Sequence, residues 1–353
     1  MIYLDNAATA IKREEIIKYI LEHTKDFDGN PESTHAMGRN AKMILEEARR
    51  KIAASIGANP KDVIFTSGAT EVNNTVINAF KNSKIITTAI EHDSILNTIG
   101  KDNSVLLKVD KNGQISLDDL KNKISENTKL VAIMFVNNET GSIEPVKEVG
   151  EYLSDKEIWF HIDAVQAYGH VDIDVEELKC DSLAISGHKI GGLNGFGVMY
   201  LRENLPSFMK GGEQEKNRRA GTSFVAGAYS MAESFPKMLE EREKIKELKE
   251  YFVNELSKTD INFEINGDVE KTSSHILNIY FADYKSDFLL TYLDMNGICA
   301  SAGSACRAGS FLPSHVITNM YDENRANHSI RFSFGYQNEK EEIDKVIEVL
   351  SNL

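Results

Sequence analysis

The stretch Lys129-Leu130-Val131-Ala132-Ile133-Met134-Phe135-Val136 is an almost unbroken apolar run, which is typical of a buried β-strand. Similar runs occur on both sides of it: Val63–Thr66, Lys84–Ala89, Ile158–Ile162 and Ser182–Ser186. Amphipathic segments separate them, among them Asn40–Ile56 and Val146–Ser154, which follows Pro145. This alternation predicts an α/β fold, a mostly parallel sheet with helices on both faces, and ligands at the carboxyl ends of its strands.

The composition changes near residue 236. The segment Pro236–Lys258 is rich in Glu and Lys and predicts a long solvated helix. Beyond it, His275–Phe281 predicts a strand, and Asp287–Met295 and Glu339–Leu350 predict helices. We therefore expect a large domain formed by residues 15–245 and a smaller α+β domain formed by residues 1–14 and 246–353.

The composition of the chain argues against several classes of protein. The chain has 353 residues and a formal net charge of −14, which argues against a nucleic-acid-binding surface. No apolar run approaches the ~20 residues of a membrane span, and no signal peptide is visible at the start. Three cysteines, none in a CxxC pair, predict neither a disulfide framework nor a metal site. We expect a cytoplasmic protein.

Two predicted strands end in residues that suit catalysis. Lys189 follows Ser182–Ser186, where an amine beside hydroxyl donors could form a Schiff base. Asp163 could keep the ring nitrogen of pyridoxal phosphate protonated, and Gln166 could hydrogen-bond the ring hydroxyl. On the residues alone, Lys189 could also be a surface lysine and Asp163 a helix N-cap.

Two further segments suit a phosphorylated aromatic cofactor. Phe65–Glu71 combines a strand, a glycine turn and a hydroxyl-rich helix start, where backbone N–H groups favour a phosphate. His92 follows another predicted strand and could stack on a cofactor ring and handle protons. The alternatives are an ordinary helix start and a structural histidine.

The small-residue segment Cys299–Ser310 carries Cys306 and suits a mobile nucleophile that approaches a substrate and then leaves. Arg307 beside the thiol would favour its thiolate form. The alternative is a buried cysteine, a description that fits Cys180 and Cys299 better.

Taken in order, these motifs resemble the cysteine desulfurases of the NifS/IscS-like group, within the class-V aminotransferase family of fold-type I pyridoxal-phosphate enzymes. The resemblance covers nearly the whole chain. It is carried by Tyr3–Thr9, Gly29–Pro31, His35, Gly38-Arg39, Thr66–Asn74, Glu91-His92, Val136–Gly141, His161–Gln166, Ser186–Lys189, Arg219–Thr222, Gly303–Cys306 and Ile330–Ser333.

The resemblance implies a role for each matching residue. Pyridoxal 5'-phosphate would be covalently attached to Lys189, with His92 stacked on its ring. Its other contacts would be Ala69, Thr70, Asp163, Gln166, Ser186 and His188, together with Thr222 from the neighbouring subunit of a homodimer. Asn137 and Arg331 would bind the substrate, and a planar guanidinium suits a carboxylate.

The implied reaction converts L-cysteine to L-alanine and leaves the sulfur on Cys306 as a persulfide. That sulfur would pass to an acceptor protein in iron–sulfur cluster assembly or in tRNA or cofactor thiolation. Departures from the family pattern occur at Gly191–Asn194, Glu213, Ala220 and Arg307, and they leave every group named above in place. Because the chain ends soon after Arg331, we expect weak or absent binding to an iron–sulfur scaffold.

Other functions stay open on the sequence. A different pyridoxal-phosphate enzyme, such as a selenocysteine lyase or an aminotransferase, is one, although an aminotransferase needs no nucleophile like Cys306. A sulfur-relay scaffold with a vestigial site is another, and the intact Lys189, Asp163 and Arg331 argue against it. A dinucleotide-binding protein is disfavoured because no GxGxxG follows the first predicted strand.

Overall fold

The computed structural model describes residues 1–303 and 313–353. Its strands are β1 (Ile2–Tyr3), β2 (Val63–Thr66), β3 (Lys84–Thr88), β4 (Ser104–Leu107), β5 (Thr128–Met134), β6 (Trp159–Asp163), β7 (Ser182–Ser186), β8 (Gly197–Leu201), β9 (Phe263–Ile265), β10 (Ile276–Phe281), β11 (Ile298–Cys299) and β12 (Ser329–Ser333).

The helices are α1 (Glu14–Glu22), α2 (Thr24–Phe27), α3 (Ala36–Ala54), α4 (Ala69–Ala79), α5 (Asp93–Leu96), α6 (Leu117–Lys123), α7 (Val146–Leu153), α8 (Gln214–Asn217), α9 (Val225–Leu256), α10 (Ser286–Met295), α11 (His315–Met320), α12 (Glu323–Ala326) and α13 (Lys340–Ser351). No helix in the described ranges is both long and apolar enough to cross a membrane.

The central sheet has the strand order β2-β8-β7-β6-β5-β3-β4, seven strands among the residues that the structure describes. Neighbours from β7 to β4 are parallel, whereas β8 runs antiparallel to both β7 and β2. The strands β5, β6 and β7 are buried almost throughout, as expected where helices cover both faces of a parallel sheet, and β5 accordingly contains the continuous apolar run Leu130–Met134. The predicted α/β class and mostly parallel sheet are confirmed.

A smaller group of strands contains the C-terminal residues. β10 pairs antiparallel with β12 and β9, and β1 pairs parallel with β11 through Ile2–Ile298 and Tyr3–Cys299. Asp5 forms a parallel bridge with Ser333, so the N-terminal segment packs against C-terminal strands. The division into residues 15–245 and residues 1–14 with 246–353 stays a prediction.

The long helix differs from the predicted one. α9 begins at Val225 and contains Pro236, whereas the sequence predicted a start at Pro236. A proline inside a helix removes one backbone hydrogen bond and usually ends the helix. Here the first three turns are buried, at Ala228 and Met231 among others, and this packing outweighs the local preference.

Candidate active site

A cavity of about 290 Å³ opens at the carboxyl ends of β6 and β7, beside the N-terminus of α4. This volume is close to the lower end of the range of small-molecule sites. Most of the residues predicted for the site line it: Ala69, Thr70, His92, Asp163, Gln166, Ser186, His188, Lys189 and Arg331. The sheet therefore brings together side chains that are far apart in sequence.

Lys189 ends a single 3-10 turn, Gly187–Lys189, that directly follows β7. Its Nζ donates to the carbonyl oxygens of Ala7 at 2.7 Å and Ala8 at 2.9 Å. Two backbone acceptors thus hold the amine in a defined place at the cavity, where it can reach a bound carbonyl compound.

Asp163 is the last residue of β6 and is 5% exposed. Its Oδ2 accepts a hydrogen bond from Asn73 Nδ2 at 2.7 Å, and its Oδ1 accepts one from the Val165 amide at 3.1 Å. No helix begins at Asp163, so the N-cap alternative is not what the structure shows. The carboxylate is oriented by a turn and by Asn73.

Asn73 is itself held in place. Its Oδ1 lies 2.9 Å from His161 Nε2, and His161 Nδ1 lies 2.9 Å from Ser182 Oγ. Because Asn73 Nδ2 donates to Asp163, its Oδ1 must accept from His161. Burial lowers the pKa of His161 to about 4, so the ring is neutral at physiological pH. His161 therefore positions the cavity carboxylate through Asn73, a role that its place on a strand did not indicate.

The end of the cavity at α4 suits a phosphate. Gly68, the N-cap of α4, has φ +152°, and Ala69 and Thr70 open the helix. A Cβ on Gly197 would lie 2.5 Å from Gly68 Cα, so this close approach of strand and turn requires glycine. The first amides of a helix have no intrahelical acceptor and favour an anion. Ser186 adds a hydroxyl from the end of β7.

His188 completes this part of the lining. Burial, together with the nearby Lys189 and Lys12, lowers the pKa of His188 to about 3. The imidazole is therefore neutral, and it can donate one hydrogen bond without adding charge.

His92 is both a helix cap and a cavity residue. Its Nδ1 accepts from the Ser94 amide at 3.1 Å at the start of α5. Since Nδ1 is an acceptor, the proton of the neutral ring is on Nε2. Burial lowers the pKa of His92, although Asp163 opposes the shift. The structural and the cofactor-facing interpretations are therefore compatible.

Arg331 on β12 is 1% exposed and lines the cavity. Its Nη1 donates to the Asn138 carbonyl at 2.7 Å, and its Nη2 pairs with Asp5 Oδ1 at 2.7 Å. Its buried Nε has no hydrogen-bond partner within residues 1–303 and 313–353. A cation so placed, with donors to spare, can bind a carboxylate.

Asn137 does not line the cavity, and Asn138 does. The side chain of Asn137 is fully buried, donates to the Ile90 carbonyl and accepts from the amides of Glu139 and Thr140. These hydrogen bonds close a turn, and they engage both the Nδ2 and the Oδ1 atom of Asn137 with other parts of the protein. The expectation that Asn137 contacts the substrate is therefore corrected, and Asn138 is the residue placed to contact a ligand.

Thr222 is exposed and lies outside the cavity of its own chain. The segment before it is tied to the phosphate end because Arg219 pairs with Glu71 at 2.9 Å. This position leaves Thr222 available to another molecule, and its predicted contact across a homodimer stays a prediction.

Cys306 lies outside the described residues. The described residues just before and just after the segment that contains Cys306 lie close to Glu139, which is 1% exposed. Ser314 Oγ donates to Glu139 Oε2, and a Cβ on Gly303 would lie 3.5 Å from the same oxygen. Ser301 pairs with Arg331 through two backbone hydrogen bonds. Both ends of the segment that carries Cys306 are therefore close to Glu139, the residue that follows the cavity-lining Asn138.

The family model for aminotransferase class-V matches residues 2–346 of this chain. The chain belongs to the class-V aminotransferase family. Enzymes of this family use pyridoxal 5'-phosphate. The sequence is 38% identical to a cysteine desulfurase IscS of Dictyoglomus turgidum, across 100% of this chain and 94% of the relative.

Solved structures of the family agree with the sequence match. A NifS-like protein from Rickettsia africae has a TM-score of 0.90 and 31% identity, with 100% of this chain and 99% of that chain covered. SspA in complex with cysteine has a TM-score of 0.84 and 29% identity, with 95% and 99% covered. The predicted resemblance to NifS/IscS-like desulfurases is confirmed.

The cavity fits the family's cofactor in the chemistry of its donors. The helix N-terminus at Gly68 suits a phosphate, the Asp163 carboxylate suits a protonated ring nitrogen, and the Lys189 amine suits an aldehyde. These three groups come from three different elements and line one cavity. The sequence alone did not assign roles to Asn73, Asn138 and Asp5. Asn73 donates to Asp163, Asp5 pairs with Arg331, and Asn138 lines the cavity.

Proposed function

We propose that this chain is a pyridoxal-phosphate-dependent cysteine desulfurase that converts L-cysteine to L-alanine and transfers the sulfur to Cys306. The observation that carries the proposal is one cavity in which the Lys189 amine, the Asp163 carboxylate and the Arg331 guanidinium meet. The bound cofactor supplies an electron sink for the substrate carbon. Substrate binding, proton transfer and sulfur transfer are carried out by side chains of the protein.

Arg331 and Asn138 bind and orient the substrate. The guanidinium takes the carboxylate, and its bonds to Asp5 and to the Asn138 carbonyl prevent it from rotating. Lys189 would hold the cofactor covalently and, once released from it, accept the α-proton at Nζ. The carbonyls of Ala7 and Ala8 stabilise that amine when it carries a proton.

The cofactor contacts would be shared among several groups. Asp163 would hold the proton on the ring nitrogen, Gln166 would donate to the ring oxygen, and His92 would stack on the ring. The phosphate would be bound by Ala69, Thr70, Ser186 and His188, with Thr222 supplied by a second copy of the chain. Such a homodimer would complete the site.

The sulfur transfer is a displacement at the substrate sulfur. The Cys306 thiolate forms the new S–S bond while the carbon–sulfur bond breaks, and the electron pair stays with the carbon part. That part takes up protons and leaves as L-alanine. The persulfide on Cys306 is then consumed by a thiolate of an acceptor protein. The position of Gly303 and Ser314 beside Glu139 supports this because Glu139 directly follows Asn138, which lines the cavity.

The test is the intact mass of the purified protein after anaerobic incubation with L-cysteine. We expect the gain of one sulfur atom, its loss in Cys306→Ser and its retention in Cys299→Ser, the matched control. Borohydride reduction should fix the cofactor on the peptide that contains Lys189. A protein that holds the cofactor but gains no sulfur would be a different enzyme of the family, such as an aminotransferase.

A further inference from the structure

The Gln166 side chain is hydrogen-bonded at both ends of its amide. Its Nε2 donates to the Ala7 carbonyl at 2.9 Å, and its Oε1 lies 3.0 Å from His275 Nε2. A carbonyl oxygen only accepts, so the amide nitrogen must face Ala7 and the amide oxygen must face His275. The orientation of this amide is thus decided by its partners.

The proton position on His275 follows from this. Because Gln166 Oε1 accepts, His275 Nε2 must be the donor. Nδ1 of the neutral ring then accepts from Ser273 Oγ at 2.6 Å. The ring is 2% exposed, and burial lowers its pKa well below the usual range, with His170, Lys249, Arg331 and Lys189 adding to the shift.

Rigid neighbours fix the His275 ring. It stacks on His170 with the ring centroids 3.4 Å apart and the planes within 9°. The backbone next to it is fixed as well, because Lys249 Nζ donates to the Ser273 carbonyl at 2.9 Å and to Thr272 Oγ1 at 2.7 Å. A buried, stacked ring with both nitrogens engaged has one orientation available.

We propose that His275 is a positioning residue that fixes the Gln166 amide so that its second N–H points into the cavity as a donor for the ring oxygen of the cofactor. The inference rests on the proposed function. The inference goes beyond the proposed function because His275 does not line the cavity and would act only through Gln166. The Gln166 amide has two N–H donors, and the Ala7 carbonyl takes one of them.

The hydrogen bond from Gln166 would affect the charge on the ring oxygen of the cofactor as well as the position of the ring. A donor to the ring oxygen favours its charged form, so loss of the donor raises the pH at which the bound cofactor changes its visible absorbance. A residue that only filled space would change stability and leave this midpoint unchanged. The two roles can therefore be separated by spectroscopy.

Two amide variants of the holoenzyme make a matched pair. In His275→Gln the side-chain nitrogen can take the place of Nε2 and donate to Gln166, whereas in His275→Asn it takes the place of Nδ1 and reaches only Ser273. We expect His275→Asn to raise the absorbance midpoint and to weaken pyridoxal 5'-phosphate binding about 2- to 12-fold, the effect of one neutral hydrogen bond. His275→Gln should stay close to the wild type in both measurements.

A Gln166→Leu background completes the design, since there His275→Asn should change the midpoint no further. An equal midpoint in His275→Asn and wild type overturns the inference, as does a failure of His275→Gln to restore it. An additional shift in the Gln166→Leu background would also overturn it, because His275 would then act by another route. If the wild-type protein binds no pyridoxal 5'-phosphate, the proposed function fails, and dialysis of the cofactor alone detects this.

Discussion

Replacement of Arg331 tests whether its guanidinium recognises the substrate carboxylate. The side chain has five N–H donors. One on Nη1 goes to the Asn138 carbonyl and one on Nη2 goes to Asp5, which, among the described residues, leaves the Nε N–H and also one N–H on each of the two terminal nitrogens. A carboxylate that takes two of them gains two charge-assisted hydrogen bonds, each about 1.5–3 kcal/mol. Arg331→Lys keeps the charge and loses one of them, so kcat/KM for L-cysteine should fall about 10- to 150-fold.

Arg331→Ala loses both bonds, and its defect should be at least about 150-fold. The assay compares L-cysteine with L-cysteine methyl ester, which keeps the shape and lacks the negative charge. The wild type should strongly prefer L-cysteine, and Arg331→Ala should lose most of that preference. Arg325→Lys is the control because Arg325 pairs with Glu264 at 2.6 Å outside the cavity.

One result would refute this reasoning. If Arg331→Ala lowered kcat/KM equally for the acid and the ester, the side chain would support the fold and would not recognise the carboxylate. Thermal unfolding of the same variant provides the comparison, because removal of a buried cation leaves Asp5 without its partner.

Two further predictions concern buried carboxylates. Burial raises the pKa of Glu144 to about 8, so the native state holds this proton more tightly than the unfolded chain, and stability is lost as the pH rises from about 4.5 to about 8. Glu144→Gln should remove this loss, and its advantage in Tm over the wild type should grow between about pH 4.5 and pH 8 and change little above that; an advantage that does not change with pH would contradict the assignment. Asp163→Asn should weaken pyridoxal 5'-phosphate binding about 10- to 150-fold in equilibrium dialysis, because one charge-assisted bond is lost and the donors Asn73 and Val165 no longer both meet acceptors. Binding as tight as that of the wild type would show that the carboxylate does not contact the ring nitrogen.

Five strands of the central sheet were predicted because burial makes their sequences apolar, whereas β4 and β8 were not predicted. β7 has the predicted bounds, Ser182–Ser186, and β2 has the predicted Val63–Thr66. The start of α9 was not predictable from local preference because Pro236 signals a helix start, while burial of the preceding three turns is a tertiary effect.

The choice between Asn137 and Asn138 shows a second limit. Both residues are in one motif, and the residue type does not say which side chain points at the ligand. The turn decides, because Asn137 Oδ1 accepts from the amide two residues later, a local pattern that asparagine favours. This short-range hydrogen bond could have been anticipated from the sequence. The bond from Asn137 to the Ile90 carbonyl joins residues far apart in the chain, so nothing in the local sequence indicated it.

The N-terminal segment explains why part of the site could not be found from side-chain chemistry. The carbonyls of Ala7 and Ala8 hold the Lys189 amine, and the Ala7 carbonyl also orients Gln166. Two residues earlier in the chain, Asp5 holds Arg331. One short segment therefore fixes the amine at one side of the cavity and the guanidinium at another, and it does so mostly through backbone oxygens that any residue would supply. Because β1 is paired with β11, the same segment is also tied to the strand that leads toward Cys306. The placement of the Lys189 amine relative to the Arg331 guanidinium thus depends on a stretch whose alanines contribute only backbone oxygens.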